Sequence, residues 1–105
     1  MRFLETSIFT KRLRSLLAED EYRALQIALL LRPEQGPLIK GSGGLRKVRW
    51  APKGVGKRGG IRVIYHWRAE EEAFYMLFAY SKVDQADLTP DQVRTLARVV
   101  REEFK

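Results

Sequence analysis

Four cations, Lys47, Arg49, Arg62 and Lys82, are the residues of this sequence best suited to chemistry. In Leu45-Arg46-Lys47-Val48-Arg49-Trp50 the period-two pattern puts Val48 and Trp50 on one face of a strand, so Lys47 and Arg49 share the other. Arg62 comes from the next strand, and Lys82 follows the end of the one after it. Guanidinium and ammonium groups converging on a phosphodiester stabilise the charge that builds on a pentacoordinate phosphate. The nucleophile would then be the substrate's own 2′-hydroxyl, which makes the expected substrate RNA. Arginine stays protonated at any working pH, and only a lysine crowded by other positive charge can lose its proton usefully, so Lys47 is the candidate base. A phosphate-binding patch without chemistry would use the same four residues.

Other chemistries find less support. His66 is the single histidine and has the parity of Arg62, so it could face a substrate, although a lone strand histidine is more often packed or hydrogen-bonded. Gly54-Val55-Gly56-Lys57-Arg58-Gly59 has the letters of a dinucleotide fingerprint, but a strand rather than a helix N-terminus follows it. Those glycines are better read as letting a cationic loop bend around a backbone. Arg46, Lys53, Lys57, Arg58 and His66 are accordingly the candidate RNA contacts beyond the four central cations. There is no cysteine, which excludes a thiolate nucleophile, a disulfide framework and a cysteine-ligated metal. The carboxylates fall in turns and at helix ends rather than in a convergent cluster, so neither a metal site nor a cofactor is expected.

The charge distribution supports a polyanionic partner. The chain has 105 residues and a net charge of +7, yet no acidic residue lies between Glu34 and Glu70, a stretch holding nine Lys and Arg. Such a local field suits nucleic acid and gives salt-sensitive binding. The length allows one domain spanning 1–105. The longest aliphatic run, Ile27 to Leu31, is too short for a bilayer, and residues 1–5 lack the features of a signal peptide, so a cytoplasmic protein without membrane contact is expected.

The elements that must position the cations follow from periodicity. Arg2 to Thr6 reads as a short strand. Phe9, Leu13, Leu16 and Leu17 form a helical stripe after a Thr6 or Ser7 cap, and Tyr22, Leu25, Ala28 and Leu29 form a second one, capped by Asp20 and ended by Pro33. Three strands, Leu45–Trp50, Ile61–Arg68 and Ala73–Tyr80, make an antiparallel meander. Thr89, Pro90 and Gln92 open a last helix with a capping box, and Val93, Leu96, Ala97, Val100 and Phe104 form its apolar stripe. The order β-α-α-β-β-β-α is that of an α+β domain.

Phe9-Thr10-Lys11, Leu31-Arg32-Pro33, Gly41-Ser42-Gly43-Gly44-Leu45-Arg46-Lys47, Lys57-Arg58-Gly59-Gly60-Ile61-Arg62-Val63-Ile64-Tyr65, Tyr80-Ser81-Lys82 and Asp87-Leu88-Thr89 together resemble the HigB branch of the RelE superfamily of toxins over nearly the whole chain. The resemblance implies a RelE-like fold, with two N-terminal helices on one face of a small antiparallel-rich sheet and RNA across the other. It implies a ribosome-dependent mRNA endonuclease that cuts the codon in the ribosomal A site without a metal and stops translation. It implies as partners the 70S ribosome and a cognate antitoxin of helix-turn-helix type, through which operator DNA is bound. Lys47 and Arg49 fall where related toxins carry catalytic basic residues, Arg62 on the arginine that contacts the scissile phosphate, and Lys82 where many relatives have an arginine proposed as general acid. Arg49 stands where the RelE branch has the lysine proposed as base, and Leu88 where it has a nucleophile-orienting tyrosine, so the division of acid and base roles stays open. Two other readings use the same scaffold or patch: a ParE-type gyrase inhibitor and a non-catalytic RNA- or ribosome-binding module.

Overall fold

The computed structural model describes residues 1–51 and 60–103. Lys53, Lys57, Arg58, the glycines of the 54–59 loop and Phe104 lie outside the described residues. The chain forms β1 (Arg2–Glu5), α1 (Ser7–Leu16), α2 (Glu19–Leu31), β2 (Arg46–Trp50), β3 (Ile61–Arg68), β4 (Ala73–Ser81) and α3 (Pro90–Glu103), the order expected for an α+β fold. The sheet order is β1-β4-β3-β2. β2, β3 and β4 are antiparallel neighbours, as the alternation predicts, and β1 adds to β4 in parallel.

Local chemistry sets the helix ends. The Thr6 hydroxyl accepts from the Phe9 amide and caps α1, and a cap of this kind stabilises by about 1 kcal/mol. The same hydroxyl donates to the Leu77 carbonyl at 2.9 Å, so the cap also ties α1 to β4. At α2 the expected Asp20 cap is replaced: Ala18 is the N-cap and makes no side-chain bond, while Glu19, Asp20 and Glu21 all lie in the first turn. There their charges favour the helix dipole rather than a single amide. α3 starts as expected, with the Gln92 amide donating to Thr89 Oγ1 at 3.1 Å and the Thr89 amide donating to Gln92 Oε1 at 2.9 Å.

Strand parity divides the core. Phe9, Leu13, Leu25 and Leu29 from α1 and α2 pack against Val48, Val63, Tyr65, Phe74 and Met76 on one face. Burying each such large side chain contributes roughly 1.5–3 kcal/mol. Ile64, Tyr75, Leu77, Phe78 and Tyr80 face the other way, toward Leu96 and Val100 of α3. α3 thus covers part of the second face, which the resemblance leaves to RNA. A register shift between Ile64 and Tyr65 passes from the pair Tyr65–Met76 to the pair Ile64–Phe78 and leaves Leu77 as an extra residue in β4. The bulge reverses the parity of the strand beyond it. Met76 and Ala79 consequently share the face of α1 and α2, and Tyr80 is delivered to the face of Arg62.

Candidate nucleic-acid interface

Antiparallel pairing aligns a row of polar side chains across three strands. Arg49 stands directly opposite Arg62, and Arg62 directly opposite Tyr80. With strands about 4.8 Å apart, the row spans about 10 Å. Lys47 is two residues from Arg49 on the same face, opposite Ile64. The alternation of Leu45 to Trp50 thus does bring Lys47, Arg49 and Arg62 onto one surface.

Arg62 is the unusual member. The residue is 4% exposed, and among the described residues none accepts a hydrogen bond from its guanidinium or pairs with it. Holding a cation out of water without an anion is costly, and placing a second arginine directly across the strand adds repulsion. Arg49 is exposed and likewise has no carboxylate partner among the described residues. A phosphate lying over the pair would relieve both terms at once. Two arginines at directly opposed positions of one sheet face are chemically suited to an anion.

Two residues that sequence reasoning did not assign to the site complete it. Lys47 Nζ donates to Asp87 Oδ1 at 3.0 Å. The Leu88 amide donates to the same oxygen at 2.8 Å, and the Tyr80 hydroxyl at 3.4 Å. The Lys47 bond and then the Leu88 amide hold the Asp87 carboxyl below the usual carboxylate range. Burial, and then the Asp87 charge, push the Tyr80 phenol up to about 12, against the opposing pull of Arg62 and Arg49. Tyr80 therefore remains a proton donor at neutral pH. Lys47 is paired with a carboxylate, the opposite of the crowding by cations that a basic lysine requires. The signal for Tyr80 was masked by the bulge, and the signal for Asp87 is its position just ahead of the Thr89-Pro90 helix start.

The remaining candidates separate. Lys82 follows β4, is exposed, and its amide donates to the Gly60 carbonyl at 3.3 Å, which sets its backbone beside the start of β3. Arg46 has the parity of Val48 and turns to the opposite face, where its Nη1 donates to the carbonyls of Glu34 and Gly36 and its Nη2 pairs with the Glu34 carboxylate at 3.6 Å. It is a brace for the 33–36 turn, not a member of the row. His66 lies four residues along β3 from Arg62, with Nδ1 3.0 Å from the Gly44 carbonyl and its ring stacked on Tyr75. That bond fixes the proton of the neutral ring on Nδ1. Gly44 has φ +115°, and a Cβ there would meet the His66 ring at 3.1–3.2 Å, so histidine and glycine are fitted to one another. Lys53, Lys57 and Arg58, the loop candidates, lie outside the described residues. Among the described residues no three Asp, Glu or His side chains converge as metal ligands.

Comparison with known proteins agrees with this architecture. A chain of an arginine double mutant of the Escherichia coli toxin RelE in the free state is similar at 15% identity and a TM-score of 0.60, covering 95% of this chain and 95% of that one. A chain of an archaeal RelE–RelB complex from Pyrococcus horikoshii is similar at 20% identity and a TM-score of 0.52, covering 77% of this chain and 93% of that one. At those identities the likeness establishes a shared fold. The family model described as the RelE toxin of the RelE/RelB toxin–antitoxin system matches residues 1–104, and the chain belongs to that family.

Proposed function

We propose that this RelE-family toxin is a HigB-type, ribosome-dependent mRNA endonuclease, and that Arg62 and Arg49 hold the scissile phosphate. The observation that carries the reading is the buried Arg62 guanidinium, which lacks an anion among the described residues and faces Arg49 across the sheet. Attack by the 2′-hydroxyl on the adjacent phosphorus, with its proton passing to solvent water, forms the new P–O bond and breaks the bond to the 5′-oxygen of the next nucleotide. Charge on the equatorial oxygens grows along this path, and donors already aimed at it stabilise the transition state without reorganising. Lys47, held by Asp87, adds positive charge on the same surface. Lys82 beside the start of β3 protonates the departing 5′-oxygen.

Few groups are asked to do much here, and positioning has to supply the rest. Holding the 2′-oxygen in line with the phosphorus contributes several kcal/mol, and the ribosomal A site would provide that constraint. The reading further includes a cytoplasmic location, a single domain over 1–105, and a cognate antitoxin of helix-turn-helix type that carries the complex to operator DNA. The RelE–RelB complex that contains the similar archaeal chain supports the antitoxin.

The test uses purified protein and programmed ribosomes, with mRNA 5′ ends mapped. New ends within the A-site codon are expected, and Arg62→Ala should reduce their rate by about 10²–10³, as loss of one transition-state donor does. Ribosome binding without new ends would replace the nuclease by a binding module, and equal cleavage by parent and variant would remove Arg62 from the mechanism.

A further inference from the structure

Beside the cation row lies an open groove of about 330 Å³ lined by Pro37, Leu38, Ile39, Lys47, Asp87 and Leu88, with Lys40 and Val93 at its margin. Its volume is at the small end of ligand sites, which run from about 300 to 1,000 Å³. Lys47 and Asp87 belong both to the groove and to the network of the row, so the two are continuous. Apart from Lys40, Lys47 and Asp87 the walls are aliphatic, and Leu38 is 61% exposed. A larger cavity of about 400 Å³ between α1 and α3, lined by Ile8, Leu77, Phe78 and Leu96, has no cation among its described lining residues.

The feature that gives the groove a ligand is the state of the Asp87 carboxylate. Lys47, Leu88 and Tyr80 all donate to Oδ1, and among the described residues none donates to Oδ2. Asp87 is exposed, and the loop carrying it is braced by Gln85, whose amide nitrogen donates to the Asp87 carbonyl at 2.8 Å and to Gln92 Oε1 at 2.9 Å. One oxygen is thus held by three donors, and the other is oriented toward solvent with no donor among the described residues. Single-stranded RNA presents its Watson–Crick edges to such groups, and a carboxylate characteristically accepts from an exocyclic amino group.

We propose that this groove takes the nucleobase adjoining the phosphate held by Arg49 and Arg62, and that Asp87 Oδ2 selects bases bearing an exocyclic amino group over uracil. The proposal deepens the RNA-cleaving reading and rests on it for the identity of the ligand. Adenine, cytosine and guanine each offer an amino donor, whereas uracil sets a carbonyl on either side of its single N–H and would bring oxygen against oxygen. The base would lie on the aliphatic walls of Pro37, Leu38 and Leu88, with its phosphate toward Lys47 and Arg49.

The experiment titrates the isotope-labelled full chain with the four nucleoside 3′-monophosphates, following the amides of Ile39, Leu88 and Val93 by NMR. The three amino-bearing nucleotides are expected to bind about tenfold more tightly than 3′-UMP, the worth of one charge-assisted hydrogen bond. Asp87→Asn keeps an oxygen for Lys47 and Leu88 but adds a donor, and it should bring 3′-UMP level with the others. Equal affinity for all four nucleotides in the parent overturns the selection, and shifts confined to the cation row overturn the pocket. Failure of the nuclease reading shows separately, as absence of new mRNA ends on ribosomes, while the nucleotide titration still decides the groove.

Discussion

If Arg62 holds the phosphate as proposed, it does so at a cost in stability. Burying an arginine opposite another arginine is costly, and an apolar side chain following the same path would avoid that cost. Arg62→Met should therefore melt a few °C higher than the parent, for a gain of about 1 kcal/mol in a chain of this size, while losing cleavage. A thermal melt at matched pH and salt checks this, and a lower melting temperature would show that Arg62 packs better than it repels. Asp87 offers a second test at the same scale. Its carboxyl is held below the usual range, chiefly by Lys47, so the ion pair contributes wherever the pH exceeds the unfolded carboxyl's value and is lost only as the pH falls through the lower folded one. Carboxyl carbon shifts should place the Asp87 midpoint below 3.8, and Lys47→Ala should move it up. A midpoint unmoved by that substitution would break the assigned cause.

At the level of elements, the alternation of Lys47, Val48, Arg49 and Trp50 made the cationic face of β2 legible before any coordinates, because charge and apolar character trade places there at every residue. β4 was different. Ala73 to Tyr80 is apolar or aromatic throughout, so nothing marks where Leu77 adds a residue, and Tyr80 could not be assigned to a face. Nor could pattern reveal that the Lys47 ammonium would find Asp87 forty residues away. The Asp20 cap failed for a related reason, since acids in the first turn of a helix and acids at its cap look alike in sequence. The α3 start was legible because Thr89, Pro90 and Gln92 satisfy three separate local rules. Thr89→Ala removes a bond made to the Gln92 amide and should cost about 1 kcal/mol in urea unfolding. No change in midpoint would mean that water or another residue caps the helix equally well.

Over the whole molecule, the excess of positive charge is concentrated in the 34–70 stretch that supplies β2 and β3, and these contribute most of the cation row. If about four cations meet phosphates, the logarithm of RNA affinity should fall against the logarithm of salt with a slope near −3, following about −0.7 per contact for a single strand. Titrations between low and physiological salt measure it. A slope near zero would remove the phosphate contacts from the account of binding. The two faces of the sheet divide the labour: α1 and α2 pack on one, whereas α3 covers part of the other and leaves Arg49 exposed beside the buried Arg62.

The parallel pairing of β1 with β4 has a bearing on biosynthesis. Arg2 to Glu5 find their strand partners only at Ala73 to Met76, and the row of Arg49, Arg62 and Tyr80 needs β4 as well. Chain elongation proceeds at roughly 5–20 residues per second, and contacts so distant in sequence wait for the later segment to emerge from the exit tunnel. The sheet face that carries the cations is thus assembled only once β4 has left the ribosome that makes it.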